Sequence, residues 1–179
     1  MWYYIHIIKN DIMKGGIKVL IKIMEQVFET NSSSAHSVYV RRSDNAVFEY
    51  DSIMSCVDKY LNELEIELGY FGWDIYSYSD AYTKLQYALT MVYETEVPFI
   101  EGKDQSAFYE TDGYNEILSL IHDKCGINKI SIKSFDGYID HQSYEDYNSL
   151  NDFLNDYDVT LEEFIFCPNV ILHTDNDNH

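Results

Sequence analysis

Basic side chains are scarce in this sequence. Twelve Lys and Arg stand against 31 Asp and Glu in 179 residues, for a formal net charge of -19. Arginine occurs only at Arg41 and Arg42, and no Lys or Arg follows Lys133. Nucleic-acid backbones are held through Lys and Arg, and anionic membrane surfaces attract the same groups, so neither is expected as a direct partner. Cysteine is nearly missing as well. Cys56, Cys125 and Cys167 are far apart and form no CxxC pair, which argues against a disulfide framework or a cysteine zinc knuckle and for a reducing compartment. Long apolar runs are also lacking. The opening MWYYIHII gives way to Lys9, Asp11, Lys14, Lys18 and Lys22, short of the roughly 20 apolar residues that a membrane span needs. No small-residue cleavage site follows an apolar stretch. The cytoplasm is the expected compartment.

What is abundant argues for a folded chain. Hydrophobic residues make up 46% of the sequence and aromatics 16%, with 17 tyrosines, so the acidic charge does not imply disorder. This length supplies one ordinary core. Residues 1–25 differ in composition from the rest, holding four lysines against two acids, while the remaining 154 residues carry a balance of -21. Residues 1–24 are therefore read as an N-terminal extension, with translation starting near Met24, or as an edge strand over Ile17–Ile23 after a turn at Gly15-Gly16. Residues 25–179 form the second unit, a single α+β domain.

Its pattern predicts a mainly antiparallel sheet packed by about three to four helices. Strands are expected at Gln26–Glu29, His36–Arg42 and Ala46–Tyr50. Asp51 is placed to cap a helix in which Ile53, Val57, Leu61, Leu64 and Leu68 recur at helical spacing, with its exit at Gly69. A second helix starts at Ser79 or Asp80 and turns Leu85, Leu89 and Val92 inward. A third runs from Tyr114 to Lys124 and stops at Gly126. Ile130 and Ile132 alternate with Ser131 and Lys133 as in a half-buried strand. Thr160-Leu161-Glu162-Glu163 fits a capping box, and Phe164–Phe166 with Val170–His173 reads as a hairpin.

Three polar stretches are candidates for function. The run Thr30-Asn31-Ser32-Ser33-Ser34-Ala35-His36-Ser37 sets hydroxyls, an amide and an imidazole between two strands. There Asn31, Ser32, Ser33 and Ser34 can hold a phosphate or carboxylate through hydroxyl and backbone N–H donors. Arg41 shares a strand face with Ser37 and Tyr39 and can clamp the anion, while His36 can carry a proton at neutral pH. The plain alternative is a serine-rich turn satisfying its own backbone, and no GxSxG elbow accompanies it. In the second stretch, Asp136 to Ser143, Asp140 can orient His141 as a general base, or His141 is a hydrogen-bonded surface residue. In the third, His173, Asp175, Asp177 and His179 would share one face if extended, a mixed N/O set able to hold a divalent ion; it is not an EF-hand, because the chain ends before a closing glutamate, and the last residues read as a frayed polar tail. No metal and no cofactor is expected.

The run Val27-Phe28-Glu29-Thr30-Asn31-Ser32-Ser33-Ser34-Ala35-His36-Ser37 resembles the opening of a family of small proteins from bacteria and bacteriophages, whose members commonly begin near an FETNSSSxHS motif. Phe71-Gly72-Trp73, Lys84 with Tyr87, and Asp140-His141-Gln142-Ser143 resemble further shared features. The resemblance implies a phage or mobile-element setting and supplies no chemistry. The residues before Met24 depart from the family's usual start.

Charge supplies the leading functional expectation. The last 46 residues hold eleven acids and no Lys or Arg, and uncompensated charge destabilises a compact domain by self-repulsion. A strongly basic partner offsets that cost. The chain is thus expected to be an inhibitory binding protein of the anti-CRISPR or anti-restriction kind. Its surface acids Asp140, Glu145, Asp146, Asp152, Asp156, Asp158, Glu162 and Glu163 would occupy a basic nucleic-acid-binding site of a host defence protein. The competing expectation is a small enzyme or ligand-binding protein for a nucleotide or phosphorylated compound, built on Ser32–Ser34, Arg41 and His36 or His141. A solubilising surface is the plainest account of the acids.

Overall fold

Apolar residues at every second position make the longest ladder of the molecule. Val38 on one strand and Val170 and Leu172 on another are buried on the same side of the sheet, as a period of two requires. In the computed structural model the described residues are 18–21, 34–42, 47–58, 60–72, 74–97, 105–140, 143–144 and 146–176. Strand β1 (Lys18–Ile21) pairs antiparallel with β2 (Ser34–Arg42), and β2 pairs antiparallel with the C-terminal strand β9 (Val170–Asn176), Val38 opposite Leu172. Strand β6 (Tyr76–Tyr78) closes this sheet on the far side of β9, giving the order β1-β2-β9-β6.

The other strands form a second, partly parallel system. Strands β3 (Val57–Asp58) and β4 (Glu63–Ile66) make a hairpin, and β4 runs parallel to β7 (Lys129–Ile132). Beyond a break, β5 (Tyr70–Phe71) runs parallel to β8 (Tyr138–Ile139). Backbone bonds continue across that break: Lys133 N–H to Ile66 O (2.8 Å), Leu68 N–H to Ser134 O (3.1 Å) and Tyr138 N–H to Gly69 O (2.9 Å).

Helix α1 (Ala81–Glu96) is the hub, capped by the Asp80 carboxylate on Thr83 N–H. Its buried residues include Lys84, Leu85, Tyr87, Ala88, Leu89, Met91, Val92 and Tyr93, so it is covered on nearly all sides, as a central helix must be. Packed against it are α2 (Gln105–Phe108), α3 (Asp112–Cys125), α4 (Leu150–Asp156), α5 (Leu161–Phe166) and a 3-10 helix over Tyr50–Cys56. The α+β class, the second and third predicted helices and the strand at Ile130 hold. Helix α3 stops at Gly126, whose φ of 71° is the left-handed turn that glycine adopts without strain. One contiguous core runs from Val38 to Leu172, and among the described residues no helix is long and apolar enough to cross a membrane.

Three expected elements differ. The helix from Asp51 to Gly69 is instead a 3-10 turn and a hairpin. The Asp58 carboxylate accepts the N–H groups of Tyr60 and Leu61 (2.8 and 3.2 Å), and Asn62 takes a left-handed φ of 47°, which together turn the chain. Leu64, Ile66 and Leu68 are buried while Glu65 and Glu67 are exposed. A period of two fits these residues as well as the helical period did, and the neighbouring strand β7 decides between them. No strand covers residues 47–49, and Tyr50 opens the 3-10 helix. Nor is Phe164–Phe166 a hairpin arm. The Thr160 capping box, with Glu163 N–H on Thr160 Oγ1 (3.2 Å) and Thr160 N–H on Glu163 Oε2 (2.9 Å), starts α5, which runs through Phe166. Leu161, Phe164 and Ile165 then share its buried face. Thr160→Ala should lower the unfolding free energy by about 1 kcal/mol in urea titrations; an unchanged midpoint would show that the box contributes nothing. The strand expected at Gln26–Glu29 lies outside the described residues.

Candidate functional site

Position 36 faces inward because β2 alternates and His36 falls on the side of Val38. The imidazole is buried. Its Nε2 lies 3.1 Å from Gly72 O and its Nδ1 3.3 Å from the Tyr87 hydroxyl. A carbonyl only accepts, so Nε2 carries the proton, and the Tyr87 O–H donates to Nδ1. Burial pushes the imidazole down to about 4, with the Gly72 carbonyl and Asp140 opposing and His173 assisting. Burial also raises the Tyr87 hydroxyl well above its ordinary value, so it stays a donor. Tyr157 O–H donates to His36 O (3.2 Å), and Asp140 N–H donates to Phe71 O (2.9 Å). Burial therefore favours the neutral form of the enclosed His36 at pH 7. The ring joins β2 to the Gly72 turn and α1.

The rest of the serine-loop reading is partly placed. Ser34 opens β2 opposite Asn176 and so belongs to a strand rather than a loop. The Arg41 backbone is in β2, opposite Val19; its side chain lies outside the described set, as do Asn31, Ser32, Ser33 and His141 altogether. Lys84 is also buried, and its Nζ donates to Cys167 O (2.8 Å) and Val170 O (2.9 Å). Burial lowers its ammonium to about 8.

The C-terminal carboxylates divide into groups. Asp140 is buried beside the His36 network and is removed from any surface ridge. Glu162 is occupied at home: Lys124 Nζ sits 2.7 Å away and Tyr50 O–H donates to it, and these contacts lower its carboxyl, Lys124 foremost. Glu163 is engaged in the Thr160 box. Asp146, Asp152, Asp156 and Asp158 are exposed, and Glu145 lies outside the described residues. On α4 the exposed residues are Asn151, Asp152, Asn155 and Asp156, opposite buried Leu150, Phe153 and Leu154. Helical periodicity thus puts the polar positions on one outer face.

That face opens onto a cleft of about 680 Å³ lined by Glu116, Asn151, Asn155, Asp158, Glu163 and Asn169, with a floor from Val40, Leu154 and Val170. Asn151 Nδ2 donates to Glu116 Oε2 (2.7 Å), tying α4 to α3. No residue lining the cleft is basic. Elsewhere the three exposed lysines with described side chains, Lys124, Lys129 and Lys133, are paired with Glu162, Glu63 and Glu65 at 2.7–2.8 Å. The sequence identified these last 46 residues as acidic from their lack of Lys and Arg. It gave no sign of Glu116, which α3 brings from over 30 residues upstream.

One further arrangement has the order of a nucleophile, base and orienter. Ser77 Oγ lies 3.0 Å from His173 Nδ1, and His173 Nε2 lies 3.6 Å from Asp175 Oδ2. The second distance exceeds a hydrogen bond, and none of the three residues lines either described cleft, so the geometry does not assemble a hydrolytic site. His173 and Asp175 do share a face of β9, as the terminal pattern predicted; among the described residues no group of three or more metal-ligating side chains is assembled. Comparison of the chain with protein-family models, curated proteins and solved structures finds no match in any of the three.

Proposed function

We propose that this chain is a binding protein that occupies a basic, nucleic-acid-binding surface of another protein with its α4–α5 face. The supporting observation is the cleft shared by Glu116, Asp158 and Glu163, with amides and no cation in its lining, while α4, which contributes Asn151 and Asn155 to it, also exposes Asp152 and Asp156. Such a face attracts Lys- and Arg-rich surfaces over a distance and places carboxylates where phosphates would otherwise sit. The resemblance of the Phe28–Ser37 run to a family of small bacterial and bacteriophage proteins favours an inhibitor of host defence as the biological setting.

The measurement is capture from host lysate at low and high salt, followed by competition with DNA for the captured protein. The face predicts a basic partner that is lost at high salt and released by DNA. Asp146→Asn, Asp152→Asn and Asp156→Asn combined should weaken that binding by about tenfold at low salt and flatten its salt dependence. These are exposed positions, so the circular dichroism spectrum should not change. Equal binding by the triple variant would remove the reading.

A further inference from the structure

The break in the parallel ladder between β4–β5 and β7–β8 holds a second cleft, of about 410 Å³. Its shape is set by backbone. Residues 67–69 and 134–137 run side by side between the Leu68–Ser134 and Tyr138–Gly69 hydrogen bonds. At Gly137 the two chains come so close that a Cβ would stand 2.3 Å from the Leu68 carbonyl carbon. From α1, the Gln86 amide donates to Glu67 O (3.1 Å) and fixes the remaining wall. The cleft is therefore preformed.

Its lining combines rings with carboxylates. Tyr70, Phe71 and Tyr78 contribute rings, and Glu67 and Asp136 contribute negative charge. Phe71 and Tyr78 meet edge to face at 5.8 Å, and Tyr70 meets Tyr138 likewise at 5.5 Å. Tyr70 is 66% exposed and Tyr138 42% exposed, so the mouth presents aromatic surface to solvent. No lining residue is basic, and Lys133, which follows β7, is held by Glu65 at 2.8 Å. An anion would be repelled here, and an apolar chain would take the Glu67 and Asp136 carboxylates out of water with no cation to match their charge, although Asp136 accepts from Ser134 Oγ at 2.8 Å. A guanidinium satisfies both halves: it stacks flat on a tyrosine ring and donates in a fork to a carboxylate.

We propose that this cleft takes an arginine side chain presented by a basic polypeptide. The class of partner rests on the functional reading above, but the contact is separate, because no residue lines both clefts. It gives the complex a shaped anchor beside a broad electrostatic face, and aromatic–arginine contacts are the kind that dominate interface energies.

The test is an amide NMR titration of the full chain with an acetylated hexa-arginine peptide, beside its hexa-citrulline counterpart, which keeps the shape and removes the charge. Shifts are expected at residues 67–71 and 134–138 with arginine and not with citrulline. Tyr70→Ala should weaken the affinity read there by about fivefold. E67Q/D136N, which keeps a hydrogen-bond acceptor at both positions, should weaken it by about tenfold. Asp123→Asn, exposed on α3 and lining neither cleft, should leave it unchanged. All these positions are exposed, so an otherwise unaltered spectrum reports an intact fold. Shifts on α4 with a silent cleft, equal shifts with citrulline, or affinities untouched by both cleft variants each overturn the inference. A shifting cleft beside a silent α4 supports it and counts against the α4–α5 reading alone.

Discussion

Lys84→Ala should lower the unfolding free energy by about 4 kcal/mol, the largest effect expected from a single substitution here. Lys84 is fully buried in the first turn of α1, so truncation removes a four-carbon stem from a packed site, which costs about 2–5 kcal/mol for side chains of this size. It also withdraws the donor shared by Cys167 O and Val170 O, the carbonyls that bracket the turn from α5 into β9. Lys84→Met separates the two terms. The stem stays, and the loss should shrink to about 1–2 kcal/mol, because the ammonium's own desolvation cost disappears with its hydrogen bonds. Cys167 O also keeps Val170 N–H at 3.0 Å. Urea unfolding of both variants checks this. Equal stability of wild type and Lys84→Ala would mean that the site is not packed as described.

Acid should unfold the protein earlier than its carboxylates alone require, through His36. In the unfolded chain the imidazole titrates near 6.5, while in the native state burial holds it at about 4. Above pH 6.5 neither state carries the proton, and the neutral histidine's contribution is complete. As pH falls, the unfolded chain takes up the proton while the native one does not. Native stability should therefore drop by about 2 kcal/mol by pH 5 and about 3 kcal/mol by pH 4, levelling off once the native imidazole is protonated. The charged groups near it are Asp140, which favours the imidazolium, and His173, which opposes it. Gln at position 36 keeps a donor for Gly72 O and an acceptor for the Tyr87 hydroxyl but does not titrate. The stability–pH curve of His36→Gln should be flatter than wild type between pH 6.5 and 4, with the carboxylate contribution common to both. Parallel curves would show that His36 titrates normally and is not enclosed.

Both experiments act on residues quoted for the family resemblance, and the structure gives them a common position. Gly72 and Tyr87 meet at the His36 ring, Asp140 lies close enough to influence its charge, and Lys84 sits one turn before Tyr87 on the same helix. These residues are polar ties inside the core. A buried polar group persists only if its partners are supplied from several elements at once, and such ties fix the register of β2, α1 and the Gly72 turn. In sequence a histidine beside serines and a lysine in an amphipathic helix resemble surface chemistry. Their partners are 36, 51 and 83 or more residues away, and no local pattern reveals them.

Local physics was legible where it acted alone. The Asp80 and Thr160 caps, the Gly126 stop, the apolar stripes of α1 and α3 and the alternation of β2, β7 and β9 follow from hydrogen bonds and side-chain periods within a few residues, and all stand in the fold. The acidic balance of the last 46 residues is likewise a property of the chain, whatever its conformation. Residues 51–69 were undecidable from sequence, because Leu64 and Leu68 satisfy periods of two and four together. Pairing with β7, over 60 residues downstream, selects the strand. Tertiary structure also sorted the carboxylates, burying Asp140, engaging Glu162 with Lys124 and bringing Glu116 to Asp158. It opened the Tyr70–Asp136 cleft by interrupting a ladder between two distant segments. Charge and periodicity are written residue by residue, whereas enclosure and shape depend on which remote surfaces meet, and only the folded chain settles that.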